Sequence, residues 1–166
     1  RGTQSDGHQF LDSVFKKGAA GALIDESFAS RLDPAASAHW KNLIVAADAA
    51  EAFLKLAGFY RSQFSLRAAA AVVGSVGKTS TKEFLAYLLR GQYNTLSTQG
   101  NLNNHLGLPL TLFGLRPEHQ VCVCELGTNR LGDVRQLAQV LKSDMGLLTC
   151  VAPEHLEGFG SMDQVY

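Results

Sequence analysis

Apolar positions along the chain form short continuous runs and helical stripes, and from Ala68 onward the two alternate regularly. Before that point the pattern is looser. Ser5-Asp6-Gly7-His8 reads as a turn feeding a short helix, in which Phe10, Leu11, Val14 and Phe15 are spaced for one apolar face. Lys16, Lys17 and Gly18 give that helix a basic last turn and a glycine stop. Residues 22–24 and 43–46 predict short buried strands. Asp48 with Glu51 has the form of a capping box, and Ala52, Phe53, Leu56, Ala57 and Tyr60 continue it as an amphipathic helix. Residues 61–67 read as a linker.

The later pattern predicts a strand at Ala68–Val73, a glycine-rich turn and a helix at Lys78–Arg90. A second strand over 94–97 follows, then an Asn-rich turn and a helix that Pro109 opens from its first position. Val121–Glu125 predicts a third strand, 131–141 a helix and 145–151 a fourth strand. Strands alternating with helices imply an α/β fold: a parallel sheet, right-handed crossovers and helices on both faces. In such sheets ligands bind beyond the carboxyl ends of the strands. Most of the chemically unusual residues of this half fall there.

Composition narrows the function. The 166 residues suffice for one domain, or for one and part of another, and 46% of them are hydrophobic, enough for a core. Fifteen basic and fifteen acidic side chains cancel, which removes the electrostatic footprint of a nucleic-acid binder. No apolar run approaches the ~20 residues that span a bilayer. The first residues lack the order of a signal peptide. Three cysteines make no disulfide framework, and Cys122, Cys124 and Cys150, without CxxC spacing, read as buried structural residues. The expectation is a cytoplasmic globular monomer that neither inserts into membranes nor binds nucleic acid.

Gly74-Ser75-Val76-Gly77-Lys78-Thr79, with Ser80 next, follows a strand and opens a helix. Glycines let backbone wrap a phosphate, loop amides and the helix dipole attract it, Lys78 reaches the outer phosphates and the Thr79 hydroxyl can hold Mg²⁺. The full P-loop pattern has a further glycine where this chain has Val72. The alternative is a glycine-rich turn with a chance Lys-Thr pair; the strand–loop–helix context favours phosphate. Glu125 ends an apolar run at the same sheet edge, where a carboxylate can reach a phosphate-bound Mg²⁺. His155, just past the fourth strand, points to that edge as a metal or phosphate contact, or is an ordinary loop histidine. Asn101, Asn103 and Asn104 offer donors and acceptors to a polar ligand, or simply shape a turn.

Taken together, Gly74–Glu83, the run Gly100-Asn101-Leu102-Asn103-Asn104, Gly107-Leu108-Pro109-Leu110-Thr111-Leu112, Glu125-Leu126-Gly127-Thr128-Asn129 and Pro153-Glu154-His155-Leu156-Glu157-Gly158 resemble the Mur ligase family. Within it, Ser5-Asp6-Gly7-His8-Gln9-Phe10 is similar to the UDP-sugar-binding domain of the D-alanyl-D-alanine-adding branch. Val73, Val76 and Pro153-Glu154 depart from the usual family residues. The resemblance implies part of a UDP-MurNAc-binding domain over 1–66, part of the central ATP-binding domain over 67–166, and a C-terminal ligase domain outside this sequence. It also places the carbamylated lysine of the family just past Tyr166.

The implied reaction is ATP-dependent addition of D-alanyl-D-alanine to UDP-MurNAc-tripeptide through an acyl phosphate, in peptidoglycan precursor synthesis. The resemblance assigns residues 74–80 to ATP and Thr79, Glu125 and His155 to Mg²⁺. Lys78, Glu125 and His155 then serve catalysis, and Ser5, Asp6, Asn101, Asn103 and Asn104 the UDP-sugar peptide. The alternatives are a related ligase such as a folylpolyglutamate synthetase, an inactive nucleotide- or UDP-sugar-binding fragment, and a P-loop kinase or GTPase. No Asn-Lys-x-Asp motif supports the last.

Overall fold

A computed structural model describes residues 6–33, 40, 42–127 and 130–152. The chain divides into two compact units, 1–53 and 54–166.

In the first unit a 3-10 turn at Gly7–Phe10 runs into α1 (Leu11–Lys16), followed by β1 (Ala22–Asp25), α2 (Glu26–Ala29) and β2 (Leu43–Ala46). β1 and β2 pair in parallel, Ala22 opposite Leu43 and Asp25 opposite Ala46. His8 ties the unit together. Its Nδ1 bonds the Asp6 carboxylate, its Nε2 accepts the Asp25 N–H at 3.1 Å, and its ring stacks on Phe28 at 4.2 Å. The four-residue α2 is too short to show an apolar period, so the pattern does not reveal it. β2 was expected to be buried, yet Ile44 is 65% exposed, because β1 is the only strand it pairs with among the described residues.

The division falls inside α3 (Ala49–Ser62), whose start is capped as expected by Asp48 Oδ1, which accepts the Glu51 N–H at 2.9 Å. The expected linker begins too early. Arg61 and Ser62 belong to the last turn of α3, and the buried Arg61 donates from Nε to Leu141 O and from Nη1 to Phe64 O, both at 2.9 Å.

β3 (Ala68–Val73), α4 (Lys78–Arg90), β4 (Thr95–Ser97), α5 (Gly107–Leu112), β5 (Val121–Glu125), α6 (Asp133–Leu141) and β6 (Met145–Leu148) complete the second unit. All strand pairs are parallel, in the order β4-β5-β3-β6. Alternate residues of β3 and β5 face opposite sides. Ala69, Ala71, Cys122 and Cys124 pack with leucines 54, 108, 112, 137 and 141 of α3, α5 and α6. Val72, Val121 and Val123 pack with Ala86 of α4 on the other side. Each fully buried leucine contributes about 1.5–3 kcal/mol.

Four boundaries differ from expectation. α5 begins at Gly107 rather than Pro109, because Asn104 Oδ1 accepts the Leu106 and Gly107 N–H groups at 3.0 and 2.9 Å. Pro109 is tolerated in that first turn, where its missing N–H has no partner to lose. β4 starts one residue late, at Thr95, and α6 starts at Asp133 after Gly132 takes a φ of 92°. β6 stops at Leu148, since Thr149 and the residues after it turn to bond the loop behind β3.

Cys122 and Cys124 are buried with sulfurs 3.5 Å apart, and their mutual hydrogen bond and burial push the Cys122 thiol well up. Cys150, contrary to expectation, is exposed, because it lies past the end of β6. Of these three thiols, only Cys150 should react rapidly with a thiol reagent in the native protein, and all three after denaturation. Peptide mapping by mass spectrometry checks this, and rapid native labelling of Cys122 would contradict it.

Candidate nucleotide and metal site

The connection leaving β3 passes to α4 on one face of the sheet, and the one leaving β5 passes to α6 on the other. Neighbouring parallel strands whose connections diverge leave a crevice at their carboxyl ends. The 74–80 loop and Glu125 stand at that crevice.

The loop is braced against the chain beyond β6. Ser75 N donates to Cys150 O at 2.8 Å, and Ser75 Oγ donates to Ala152 O and accepts the Ala152 N–H, both at 3.0 Å. Ser75 is therefore spent on holding the loop. Gly74 has a φ of 130°, and a Cβ there would lie 2.3 Å from Thr149 Oγ1 and 2.8 Å from Cys150 O. Gly77, with a φ of 85°, is the N-cap of α4 and gives no side-chain cap. The first-turn N–H groups of α4, those of Thr79 and Ser80 included, have no acceptor within the helix. Val76 is exposed at the loop tip. The Lys78 ammonium folds back over the loop, donating to Gly74 O at 2.6 Å and Ser75 O at 3.0 Å.

Glu125 is only 2% exposed. Thr79 Oγ1 donates to its Oε2 at 2.8 Å and Asn103 Nδ2 to its Oε1 at 2.7 Å. Its own N–H goes to Thr98 Oγ1 at 3.1 Å. A hydroxyl and one carboxylate suit Mg²⁺, which takes hard oxygens and fills its remaining positions with phosphate and water. Among the described residues no group of three or more His, Cys, Asp or Glu side chains gathers to hold a metal unaided. The donor set thus fits a phosphate-borne magnesium ion rather than a closed protein cage.

The remaining expected residues separate. Asn103 reaches Glu125, Asn104 caps α5, and Asn101 is exposed on the same loop. Asp6, in the other unit, bonds the side chain and backbone of His8. Ser5 and His155 lie outside the described residues. The sequence reading missed Lys82 and Thr98, both fully buried, Thr98 bonding the Glu125 N–H and Lys82 bonding the Thr98 carbonyl. A usable signal existed for Lys82: it falls on the 82-85-86-89 stripe that α4 turns inward.

Residues 72–166 match the family model described as the Mur ligase middle domain. The chain belongs to the Mur ligase family. It is 41% identical over 162 residues to the UDP-N-acetylmuramoyl-tripeptide–D-alanyl-D-alanine ligase of Escherichia coli, covering 98% of this chain and 34% of that protein. The namesake from Treponema pallidum is 35% identical, with 99% of this chain and 36% of the relative covered. Among solved structures, a MurF crystal structure from Acinetobacter baumannii superposes with a TM-score of 0.85 at 33% identity, over 99% of this chain and 34% of that one. MurF ligase from Thermotoga maritima in complex with ADP gives 0.84 at 28% identity, over 99% and 36%. This Mur ligase chain spans about a third of the length of the relatives it matches.

The tight approach at Gly74 generates a test. Gly74→Ala places a Cβ against Thr149 and Cys150 at a φ that favours glycine, so the loop must shift. A loss of about 1–3 kcal/mol in stability is expected, as for other overpacked sites. Urea denaturation measures it, and an unchanged variant would show that the brace does not matter.

Proposed function

We propose that this chain carries the ATP-phosphate site and part of the UDP-MurNAc-tripeptide site of a cytoplasmic, monomeric ligase that adds D-alanyl-D-alanine to UDP-MurNAc-tripeptide. The observation that carries the reading is the Thr79–Glu125 contact of 2.8 Å, at the mouth of a glycine loop between β3 and α4. The relatives' names supply the substrate class, and the soluble-type composition is in keeping with the compartment. Among the described residues no helix is long and apolar enough to cross a membrane.

In this reading the α4 N-terminus and Lys78 bind the phosphates of ATP, Lys78 leaving the Gly74 and Ser75 carbonyls for the outer phosphate oxygens. Thr79, Glu125 and His155 hold Mg²⁺, which when bound neutralises charge on the phosphate oxygens. Asn103 keeps the Glu125 carboxylate turned toward Thr79. Ser5, Asp6, Asn101 and Asn104 contact the UDP-sugar peptide. The tripeptide carboxylate takes the γ-phosphoryl group, releasing ADP. The amine of D-alanyl-D-alanine then attacks the acyl carbon, phosphate leaves, and the amide forms. Positioned charge of this kind is the main resource in phosphoryl transfer. A second reading, binding without turnover by these 166 residues alone, is favoured by their covering about a third of the relatives.

In the full-length protein, phosphate release from ATP should depend on D-alanyl-D-alanine and not on glutamate. Lys78→Ala should lower it by about 10²–10³-fold, the scale for loss of one transition-state donor. Coupled-enzyme phosphate detection checks both, and undiminished release in Lys78→Ala would remove the loop from the mechanism.

A further inference from the structure

The most heavily buried charge among the described residues of the second unit has no part in the mechanism above. Lys82 is 0% exposed, although an ammonium taken out of water costs several kcal/mol unless it is well paired. Its Nζ donates to Thr98 O at 2.7 Å and pairs with Glu83, whose carboxyl that hydrogen bond holds below its ordinary range. Thr98 is also fully buried. Its N–H goes to Val123 O at 3.1 Å, and its Oγ1 accepts the Glu125 N–H at 3.1 Å. Thr79, which meets the Glu125 carboxylate, stands one turn before Lys82 on the same helix. The bonds close a ring: Lys82 to Thr98, Thr98 to Glu125, Glu125 to Thr79, and Thr79 back along α4 to Lys82.

From this ring we infer that Lys82 is a positioning residue for the magnesium site, acting through Thr98 on Glu125. This deepens the function proposed above and rests on its assignment of Thr79 and Glu125 to the metal. A neutral residue at this position would fill the space equally well, and a lysine so deeply buried is costly. What the ammonium adds is a fixed donor that draws the Thr98 carbonyl to α4 and so presents the Thr98 hydroxyl to the Glu125 backbone. Partners that orient a metal-ligating carboxylate govern metal affinity without touching the metal. The bonds of Lys82 and Thr98 lead to the Glu125 backbone and not to the 74–77 loop, so their loss acts on the metal more than on nucleotide binding.

The test uses the full-length protein with Lys82→Met, which keeps length and volume, and Thr98→Val, which removes only the hydroxyl. ATP binding is titrated calorimetrically over a range of Mg²⁺ concentrations and again in EDTA. Both variants should raise the half-saturating Mg²⁺ concentration about tenfold while changing ATP affinity in EDTA by less than about twofold. Thr98→Ser, which restores the hydroxyl, should return the Mg²⁺ dependence to that of the parent. Should Lys82→Met fail to fold, Thr98→Val and Thr98→Ser carry the test. Folded variants with unchanged Mg²⁺ dependence, or with equal losses in EDTA, overturn the proposal, as does a parent protein whose ATP binding ignores Mg²⁺. Ligation is read separately: a parent with Mg²⁺-dependent ATP binding but no D-alanyl-D-alanine-dependent phosphate release defeats the ligase reading and leaves the role of Lys82 standing on the titrations.

Discussion

A carboxylate buried at the end of a strand has to be satisfied on every side, and the crevice of this protein is organised around that requirement. Removing a carboxylate from water costs several kcal/mol, which only well-made hydrogen bonds offset. Glu125 draws one donor from α4 through Thr79 and one from the 100–104 loop through Asn103, and it sends its N–H to Thr98 beyond β4. Bonds to charged groups are worth about 1.5–3 kcal/mol each. The start of α4 and the chain that follows β4 are thereby fixed relative to one strand end. Glycine at 127 belongs to the same arrangement, since a Cβ there would lie 2.9 Å from the Asn103 side chain. Gly127 N also donates to Asn103 O at 2.7 Å, so the loop is anchored twice.

That arrangement depends on β3 being small. Its alanines leave room for the leucines of α3, α5 and α6 on one face, while Val72 meets α4 on the other. Close packing on both faces holds β3 and β5 in register from Ala68 opposite Val121 to Val72 opposite Glu125. The register puts the last residue of β5 opposite Val72, two residues before the glycine loop, where a side chain on α4 reaches it. Larger residues along β3 would push the helices outward, and the contact between Thr79 and Glu125 would be lost along with core stability.

The elements of the second unit were legible because long apolar stripes and uninterrupted apolar runs are unambiguous signals. α4 and β5 fall where the pattern puts them, and the glycine loop falls between β3 and α4. Boundaries failed where one side chain overrides the period. Asn104 starts α5 two residues ahead of Pro109, and Arg61 extends α3 into the expected linker by capping carbonyls. The pairing of Thr79 with Glu125 was suggested by their shared sheet edge. The role of Asn103 was not, because an asparagine in a turn carries no mark of which side chain it will meet. Lys82 and Thr98 escaped for a related reason: a lysine reads as a solvated residue until the packing of its helix shows which face turns inward.

The Lys78, Thr79 and Glu125 side chains assigned to phosphate and metal each already have a protein partner, and this shapes the energetics of binding. The Lys78 ammonium rests on two neutral carbonyls and the Thr79 hydroxyl on the Glu125 carboxylate. Binding therefore exchanges hydrogen bonds instead of adding them. For Thr79 the exchange requires a cation, because an anion alone would face the Glu125 carboxylate without recompense. Under the proposed assignment of Thr79 and Glu125 to the metal, a loop built this way would favour phosphate that brings its own divalent ion over bare phosphate. The partners that hold its side chains beforehand also reduce the ordering cost when that ligand arrives.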